Sequence, residues 1–277
     1  MKIAIVSARS ESSGGGSVMR EAIDLLEEKG AAVDVVSPEE GPINLGSLRP
    51  EHDLYILKSG TETALSLIGS LHAAGAATLN PYPIVVEMKN KVIATKVLHA
   101  AGVPLPDTFV AAEATQLTPI LGEGPLVVKP HWGGSKGRGV QIVKDADELK
   151  NIPSSAGMIF AQRFHEPDGR DLKIYCIGGK VFGVLRVWPA RTYEDKLGEP
   201  FEVSQEMREI AARCGRAFGV DLFGLDIIVS KGEPYVVDIN TFPGFKGVPD
   251  AGRLLADYIH SAAERAMRGE PLISSER

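Results

Sequence analysis

Residues 225–240 read LDIIVSKGEPYVVDIN, and this stretch determines what kind of sheet the C-terminal half can build. Two apolar runs stand on either side of KGEP (231–234), which is typical of two antiparallel strands joined by a tight turn. Pairing of these strands brings Asp226 close to Asp238. Because side chains alternate between the two faces of a strand, Asp238 and Asn240 point to the same side.

The three oxygen-bearing side chains Asp226, Asp238 and Asn240 predict a metal site. Two carboxylates held together repel each other unless a cation lies between them, and hard oxygen donors suit Mg²⁺ that also carries phosphates and water. The alternative is that these acids are solvated on an open sheet face. Acidic residues are poor strand formers, and these interrupt otherwise apolar runs, which favours the metal site.

A second stretch, VVKPHWGGSKGRGV (127–140), is rich in glycine. Four of the seven residues from 133 to 139 are glycines, and between two strands they predict a flexible flap whose backbone N–H groups can approach phosphate oxygens. Glycine-rich hairpins are also ordinary turns, and the flap does not match the Walker pattern G-x-x-x-x-G-K-[ST]. Lys129 is more telling, because an ammonium at the end of an apolar strand needs an anionic partner such as a nucleotide phosphate.

The order of apolar segments predicts the architecture. In the first 80 or so residues, strands alternate with helices, which predicts a small doubly wound parallel sheet: strands over 3–6, 31–36, 53–59 and 77–80, helices over 17–29 and 63–75. A helix over about 87–101 follows, and then strands with tight turns predict a largely antiparallel region: 108–111, 125–130, 139–143, 158–164, 171–179 and 180–188. Helices over about 204–218 and 250–267 flank the LDIIV hairpin. The fold class is therefore α/β, with α+β character in the C-terminal part.

Composition excludes several classes of protein. The chain has 277 residues, 44% hydrophobic and 24% charged, with a net charge of −6, so neither nucleic acid nor an anionic membrane is an expected partner. The two cysteines, Cys176 and Cys214, are too few for a four-thiolate zinc site and suggest reduced thiols. The apolar run at the start of the sequence ends at Ser7 and Arg9, so it is shorter than a signal peptide needs. No apolar run in the sequence is long enough to span a membrane. A cytoplasmic protein is expected.

These motifs, in this order, resemble the ATP-grasp enzymes, and most of all the RimK-type carboxylate–amine ligases. The resemblance runs from about Leu79 to Val248 through LNPYPIVVEMKNKVIATKVLHAAGVPLPDT, PLVVKPHWGGSKGRGV, IFAQRFHEPDGRDLKIYCIGGKVFGVLRV and FGLDIIVSKGEPYVVDINTFPGFKGV. It implies a wound N-terminal domain (1–83), a central lid carrying the flap (84–188) and a C-terminal metal-binding subdomain (189–277). ATP would bind between the last two.

The resemblance also implies roles for individual residues. Lys91 and Lys129 would contact the α and β phosphates, and the flap would cover the β and γ phosphates through Gly134, Ser135, Gly137 and Gly139. The backbone of Gln162, Arg163 and Phe164 would hold the adenine edge, with Asp171 on the ribose hydroxyls and Lys173 close by. Arg186 would steady the transferred phosphoryl group, so Arg186 and Lys129 are the expected catalytic residues. Asp226, Asp238 and Asn240 match the ligands of Mg²⁺, with two ions expected and Mn²⁺ able to replace them.

Two departures keep a second activity open. Asp238 stands where these ligases usually have Glu, and Asp171-Leu172-Lys173 stands where they commonly have Asp-x-Arg. Both features resemble the inositol tris/tetrakisphosphate kinases, which phosphorylate a hydroxyl, whereas the complete flap resembles the ligases. A ligase would take small-molecule carboxylate and amine substrates and could form a homodimer. A regulator that has lost activity is a third hypothesis, which the intact set of lysines and metal ligands disfavours.

The acceptor has no readable motif. Arg9, Lys58 and the loop 10–17 lie at the ends of first-domain strands, where wound sheets bind ligands. His131 and Trp132 could line an acceptor pocket or simply pack beside the flap, and His165 is expected to be a surface residue. A kinase for a polyphosphate would have to gather most of seven scattered cations at the γ-phosphate end of the cleft: Arg9, Lys58, Arg163, Lys173, Arg191, Lys196 and Lys246.

Overall fold

A computed structural model describes residues 1–7, 17–132, 139–152, 157–187, 195 and 197–273. Predictions that concern the other residues lie outside this description: Arg9, most of the 10–17 loop, Gly134, Ser135, Gly137, Arg191 and Lys196.

The first sheet has four parallel strands in the order β2-β1-β3-β4: β1 (Lys2–Val6), β2 (Ala32–Val36), β3 (Leu54–Leu57) and β4 (Thr78–Leu79). Helix α1 (Val18–Glu28) connects β1 to β2, and α2 (Glu62–Ala73) connects β3 to β4. Ser17 and Thr61 begin these helices, each accepting a hydrogen bond from a backbone N–H of the first turn. The predicted wound parallel sheet is confirmed.

Both faces of β1 are buried, but under different helices. Ile3 and Ile5 belong to a core built with α1 and with α8 (Ala251–Met267), the last helix of the chain. Ala4 and Val6 pack on the other face, toward α2. The first sheet is therefore covered on one side by residues from the far end of the sequence.

The single helix predicted over 87–101 is wrong, because the chain forms two helices there. These are α3 (Tyr82–Lys89) and α4 (Lys91–Ala100), with Asn90 in an extended conformation between them. The Asn90 side chain accepts hydrogen bonds from the backbone N–H groups of Val92 and Ile93. Asparagine competes with the helical backbone in this way, so it ends one helix and caps the next.

The second sheet is antiparallel, in the order β5-β8-β6-β7: β5 (Thr108–Ala111), β6 (Leu126–Lys129), β7 (Gln141–Val143) and β8 (Ile159–Arg163). Its apolar face packs on three short helical segments: a 3₁₀ turn (Ala114–Leu117), α5 (Thr118–Leu121) and α6 (Ala146–Lys150).

The third sheet is also antiparallel, in the order β11-β10-β9-β12-β13: β9 (Asp171–Ile177), β10 (Lys180–Arg186), β11 (Glu199–Phe201), β12 (Leu222–Ser230) and β13 (Glu233–Asn240). Helix α7 (Gln205–Phe218) packs on the face that carries Ile174 and Leu225, and α8 lies on the face that carries Tyr175 and Leu222. The predicted limits 1–83, 84–188 and 189–277 stay a prediction. In the structure, β9 and β10 share one sheet with β12 and β13.

The second and third sheets meet where β6 ends. There the ammonium of Lys129 donates a hydrogen bond to the carbonyl oxygen of Val237 in β13, at 3.0 Å. This contact places the strand ends that carry the predicted site around one cleft. Within the described parts of the chain, no helix is long and apolar enough to cross a membrane.

Candidate active site

The hairpin β12–β13 brings the predicted metal ligands together. Asp226 and Asp238 are directly paired, and the register shifts immediately after Asp226. The side-chain amide of Asn240 donates a hydrogen bond to Oδ2 of Asp226 at 3.1 Å. Because Asp226 and Asp238 lie opposite each other and Asn240 lies two residues beyond Asp238 on the same strand, the three oxygen-bearing side chains converge on one face. The donor set fits a hard divalent cation such as Mg²⁺.

Each of the two aspartates forms an ion pair with a lysine. Lys91, the first residue of α4, pairs with Asp238, and Lys173 pairs with Asp226 from the neighbouring strand β9. Both lysine side chains are largely buried, at 13% and 11% exposure. The arrangement neutralises charges that would otherwise repel across the hairpin.

Lys129 differs from these two lysines because its direct partners are neutral. Its ammonium donates to Oε1 of Gln162 at 2.7 Å and to the Val237 carbonyl. Burial lowers the pKa of Lys129 to about 8, although the carboxylates of Asp238 and Asp226 act in the opposite direction. A buried cation without a direct anionic partner is poorly stabilised, so this position suits a phosphate oxygen.

The segment predicted to hold adenine, Gln162 to Phe164, has two backbone N–H groups that already donate to carbonyls of other segments. The Arg163 backbone N–H donates to the Asp107 carbonyl, and the Phe164 N–H donates to the Pro125 carbonyl. Any contact of these two residues with a base must therefore use other atoms. The Arg163 guanidinium turns toward the segment before β6, where it contacts the Ile120 and Gly124 carbonyls and Glu123, and lies over the Phe109 ring.

The guanidinium of Arg186 includes a buried donor that has no partner in the described chain. Its Nη2 donates to the Tyr175 hydroxyl at 2.6 Å, whereas Nε is buried and has no hydrogen-bond partner among the residues that the structure describes. A buried donor left unpaired costs about 1–3 kcal/mol, and an anionic oxygen would satisfy it. Burial raises the pKa of Tyr175 to about 12, so its hydroxyl stays protonated and accepts this hydrogen bond as a neutral group.

Asp171 lies directly opposite Arg186 in the β9–β10 pair. Burial, and then the charge of Asp226, raise the pKa of Asp171 above its usual range. Gly139 is the one flap residue assigned to nucleotide binding that falls within the described chain. Its φ of +73° is one that glycine adopts without strain.

The acceptor candidates are only partly brought together. Lys58 donates to the Phe242 and Pro243 carbonyls at 3.3 and 3.0 Å and lies over the Phe242 ring, so it anchors the loop after β13. His165 stacks on Tyr235 with ring centroids 4.0 Å apart, and burial lowers the pKa of this histidine. Trp132 is 42% exposed. Of the seven cations considered as ligands of a polyphosphate, Arg163 points toward the segment before β6, and Lys58 is hydrogen-bonded to backbone carbonyls.

Two site residues were missed by sequence reasoning. Tyr175 lies on the same strand face as Lys173, two residues away, and period-two alternation could have found it. Asn80 donates to the Leu222 and Thr241 carbonyls at 2.7 Å each, so it ties the end of β4 to the open end of the β12–β13 hairpin. Only the tertiary fold reveals that contact, because its partners lie more than 140 residues away.

An open cleft runs between α4 and the strands that carry these residues. Its polar lining includes Lys91, Gln162 and Asp238. The apolar lining comes from Met88, Leu105, Phe160 and Ile239, among others. Concave sites with apolar walls and a few convergent polar groups are typical of small-molecule binding.

Comparison with known proteins identifies the family of this chain. A family model described as a RimK-like ATP-grasp domain matches residues 88–268. A probable alpha-L-glutamate ligase of Xanthomonas euvesicatoria pv. vesicatoria (strain 85-10) is 26% identical over 227 residues, covering 75% of this chain and 77% of that protein. Among solved structures, D-cycloserine synthetase DcsG superposes with a TM-score of 0.76 at 17% identity, over 96% of this chain and 100% of that one.

The ATP-grasp ligase PsnB, solved with a minimal precursor, Mg and ADP, superposes with a TM-score of 0.68 at 18% identity, over 95% of this chain and 98% of that one. The family model covers more than half of the chain, including Lys91, Lys129, residues 162–164 and the β12–β13 hairpin. The chain therefore belongs to the RimK-like ATP-grasp family and is an ATP-grasp ligase.

Proposed function

We propose that the protein joins a carboxylate to an amine with ATP, through an acyl-phosphate, and releases ADP and phosphate. The observation that carries this proposal is a set of cationic donors lacking an anion, facing a set of oxygen ligands. The ammonium of Lys129 has only neutral direct partners, and Nε of Arg186 has none among the described residues.

Each group has a distinct role in the proposed reaction. Lys91 and Lys129 bind the phosphates of ATP, and Asp226, Asp238 and Asn240 hold Mg²⁺, which Mn²⁺ can replace. When bound, the divalent cation neutralises charge on the β and γ phosphates. Arg186 stabilises the negative charge that develops on the transferred phosphoryl group. Gln162 keeps the Lys129 ammonium in place through its side-chain oxygen.

The bond changes follow from these roles. A carboxylate oxygen attacks the γ-phosphorus, the bond to the β-phosphate oxygen breaks, and ADP leaves. The amine nitrogen then attacks the acyl carbon, loses a proton, and displaces phosphate. The protein contributes by positioning the reactants and by keeping water from a hydrolysable intermediate.

The proposed substrates are amino acids or peptides that carry a free carboxylate and a free amine. The relative named probable alpha-L-glutamate ligase and the ATP-grasp ligase PsnB, which was solved with a minimal precursor, support this class. We also propose a cytoplasmic setting, in keeping with two buried cysteines that form no disulfide. The homodimer stays a prediction.

No observation in the described chain favours the kinase. A polyphosphate acceptor needs several cations beyond those that bind ATP, yet Arg163 contacts the segment before β6 and Lys58 holds backbone carbonyls. Lys173 is paired with Asp226.

The test measures ADP and free phosphate while carboxylates and amines are supplied separately and together, beginning with glutamate and short acidic peptides. We expect ADP and phosphate in equal amounts only when both substrates are present, together with a new amide detected by mass spectrometry. The variant Asp238→Asn should lose this activity, whereas Glu233→Gln, an exposed residue of the same hairpin, should keep it. ADP formation that needs only a polyol such as inositol, with the phosphate retained on it, would overturn the proposal.

A further inference from the structure

In the predicted metal site, the ammonium group of Lys173 is hydrogen-bonded to the carboxylate of Asp226. Oδ1 of Asp226 accepts from the Lys173 ammonium, and Oδ2 accepts from the Asn240 amide. Both oxygens of this carboxylate are therefore engaged by protein donors.

The strand register holds Lys173 in this place. It lies directly opposite Asp226 in the β9–β12 pair, and β9 is the central strand of the five-stranded sheet. The residue is 9% exposed and is followed by the fully buried Ile174. Moving its ammonium away from Asp226 would leave a buried charge unpaired, which is strongly unfavourable.

Lys91 is placed differently. It begins a helix at the cleft wall, so its long side chain can exchange Asp238 for a phosphate without leaving the site. Asp238 can thus become available to a cation when nucleotide binds, while Asp226 stays paired with Lys173.

The supply of acidic ligands is also small. Within the described residues, no group of three or more His, Cys, Asp or Glu side chains is placed to hold a metal. Two adjacent divalent ions would have to share Asp226 and Asp238 while one of the ions lay beside the Lys173 ammonium, and like charges at such distances repel strongly.

We propose that the site holds a single divalent cation with each bound nucleotide, and that the ammonium of Lys173 takes the place of a second one. This inference rests on the proposed function, because it assumes that ATP binds in this cleft. It replaces the two-ion expectation that the family resemblance raises. The cation would bind Asp238 and Asn240 and would share Asp226 with the Lys173 ammonium, which supplies the remaining positive charge.

The test counts Mn²⁺ bound per chain by electron paramagnetic resonance, with a non-hydrolysable ATP analogue at saturation. We expect one bound Mn²⁺ per analogue in the unaltered protein. Lys173→Met removes the ammonium and should raise the count to two. Lys180→Met removes an exposed lysine from the adjacent strand β10 and should leave the count at one. Lys173→Arg keeps a cation and should also leave it at one.

Two tightly bound ions in the unaltered protein, with the analogue bound, would overturn this inference alone. Failure of the analogue to bind would overturn the proposed function and this inference with it. A count that stays at one in Lys173→Met would show that the lysine does not replace a metal. If Lys173→Met fails to fold, the numbers of Mn²⁺ ions bound by the unaltered protein and by Lys173→Arg decide: a second ion in either would overturn the inference.

Discussion

At the scale of single residues, the site is organised by how each buried cation is compensated. Lys173 has a carboxylate opposite it, Lys129 has only neutral oxygens as direct partners, and the buried Nε of Arg186 has no partner in the described chain. Compensated groups are already stabilised, whereas uncompensated ones gain most when an anion arrives. We therefore expect nucleotide binding to stabilise Lys129 and Arg186 more than Lys173.

Removing the charge of Asp238 tests the metal site directly. Asp238→Asn keeps the side-chain shape but loses the carboxylate, so turnover at saturating Mg²⁺ should fall on the order of a hundredfold or more. The thermal unfolding temperature should fall only modestly, because the amide oxygen of the new asparagine can still accept a hydrogen bond from the largely buried Lys91 ammonium. Nearly unchanged turnover would show that Asp238 is not a metal ligand.

The lowered pKa of Lys129 predicts how nucleotide affinity depends on pH. In the nucleotide-free protein this lysine is charged below about 8 and becomes neutral above it. A phosphate binds the charged form, so affinity for an ATP analogue should be flat below that pH and weaken by up to about tenfold per pH unit above it. Calorimetric titrations between pH 7 and roughly pH 9.5 would measure this. Lys129→Met should bind more weakly, and the pH dependence should vanish with the amine.

The Tyr175 hydroxyl predicts a smaller effect on turnover. Tyr175→Phe removes the acceptor of the Arg186 hydrogen bond but keeps the ring beneath the guanidinium, so we expect a several-fold lower kcat with little change in analogue affinity. Tyr235→Phe, which keeps the ring that stacks on His165, serves as the control. Equal kinetics for the two variants would exclude a positioning role for Tyr175.

At the scale of elements, local patterns predicted most of the strands and helices but not their junctions. The metal hairpin and the alternating first domain could be predicted because their turns and periodicity lie within short windows. The break at Asn90 was missed because its neighbours have good helical propensity, and only the side-chain cap shows where α4 begins. The Lys173–Asp226 pair depends on the register between β9 and β12, which are separated by β10, β11 and α7.

The cap at Asn90 gives a prediction for α4. Asn90→Ala removes two hydrogen bonds from the helix start, so the free energy of unfolding should fall by about 1 kcal/mol. Because Lys91 follows immediately, the affinity for an ATP analogue should fall as well. Chemical denaturation and analogue titration measure the two effects, with Asn151→Ala at the exposed end of α6 as control. Loss of stability without loss of affinity would show that the Asn90 cap does not position Lys91 for the nucleotide.

At the scale of the whole molecule, the last helix completes the first sheet. Ile259 of α8 is fully buried in the same core as Ile3 and Ile5 of β1. No local pattern could have predicted this packing, since an amphipathic helix does not specify which sheet it will cover.

Ile259→Ala should therefore destabilise a region that is distant in sequence. We expect a loss of about 2–5 kcal/mol in the free energy of unfolding, as is usual for such truncations in a core. Hydrogen exchange followed by mass spectrometry should show faster exchange in β1 and α1 as well as in α8. Met267→Ala changes an exposed residue of the same helix and should leave exchange in β1 unaltered. Faster exchange confined to α8 would show that the two regions are not coupled.

The contact between the final helix and the first sheet also constrains the order of events during translation. The strands of the first sheet leave the ribosome early, yet the face formed by Ile3 and Ile5 lacks part of its cover until α8 has been synthesised. Until α8 is made, the nascent chain thus carries a partly uncovered apolar sheet face, and such surfaces bind chaperones or associate with one another. Slow elongation between the first sheet and α8 prolongs that exposure, so the yield of folded enzyme should depend on how quickly the ribosome completes α8.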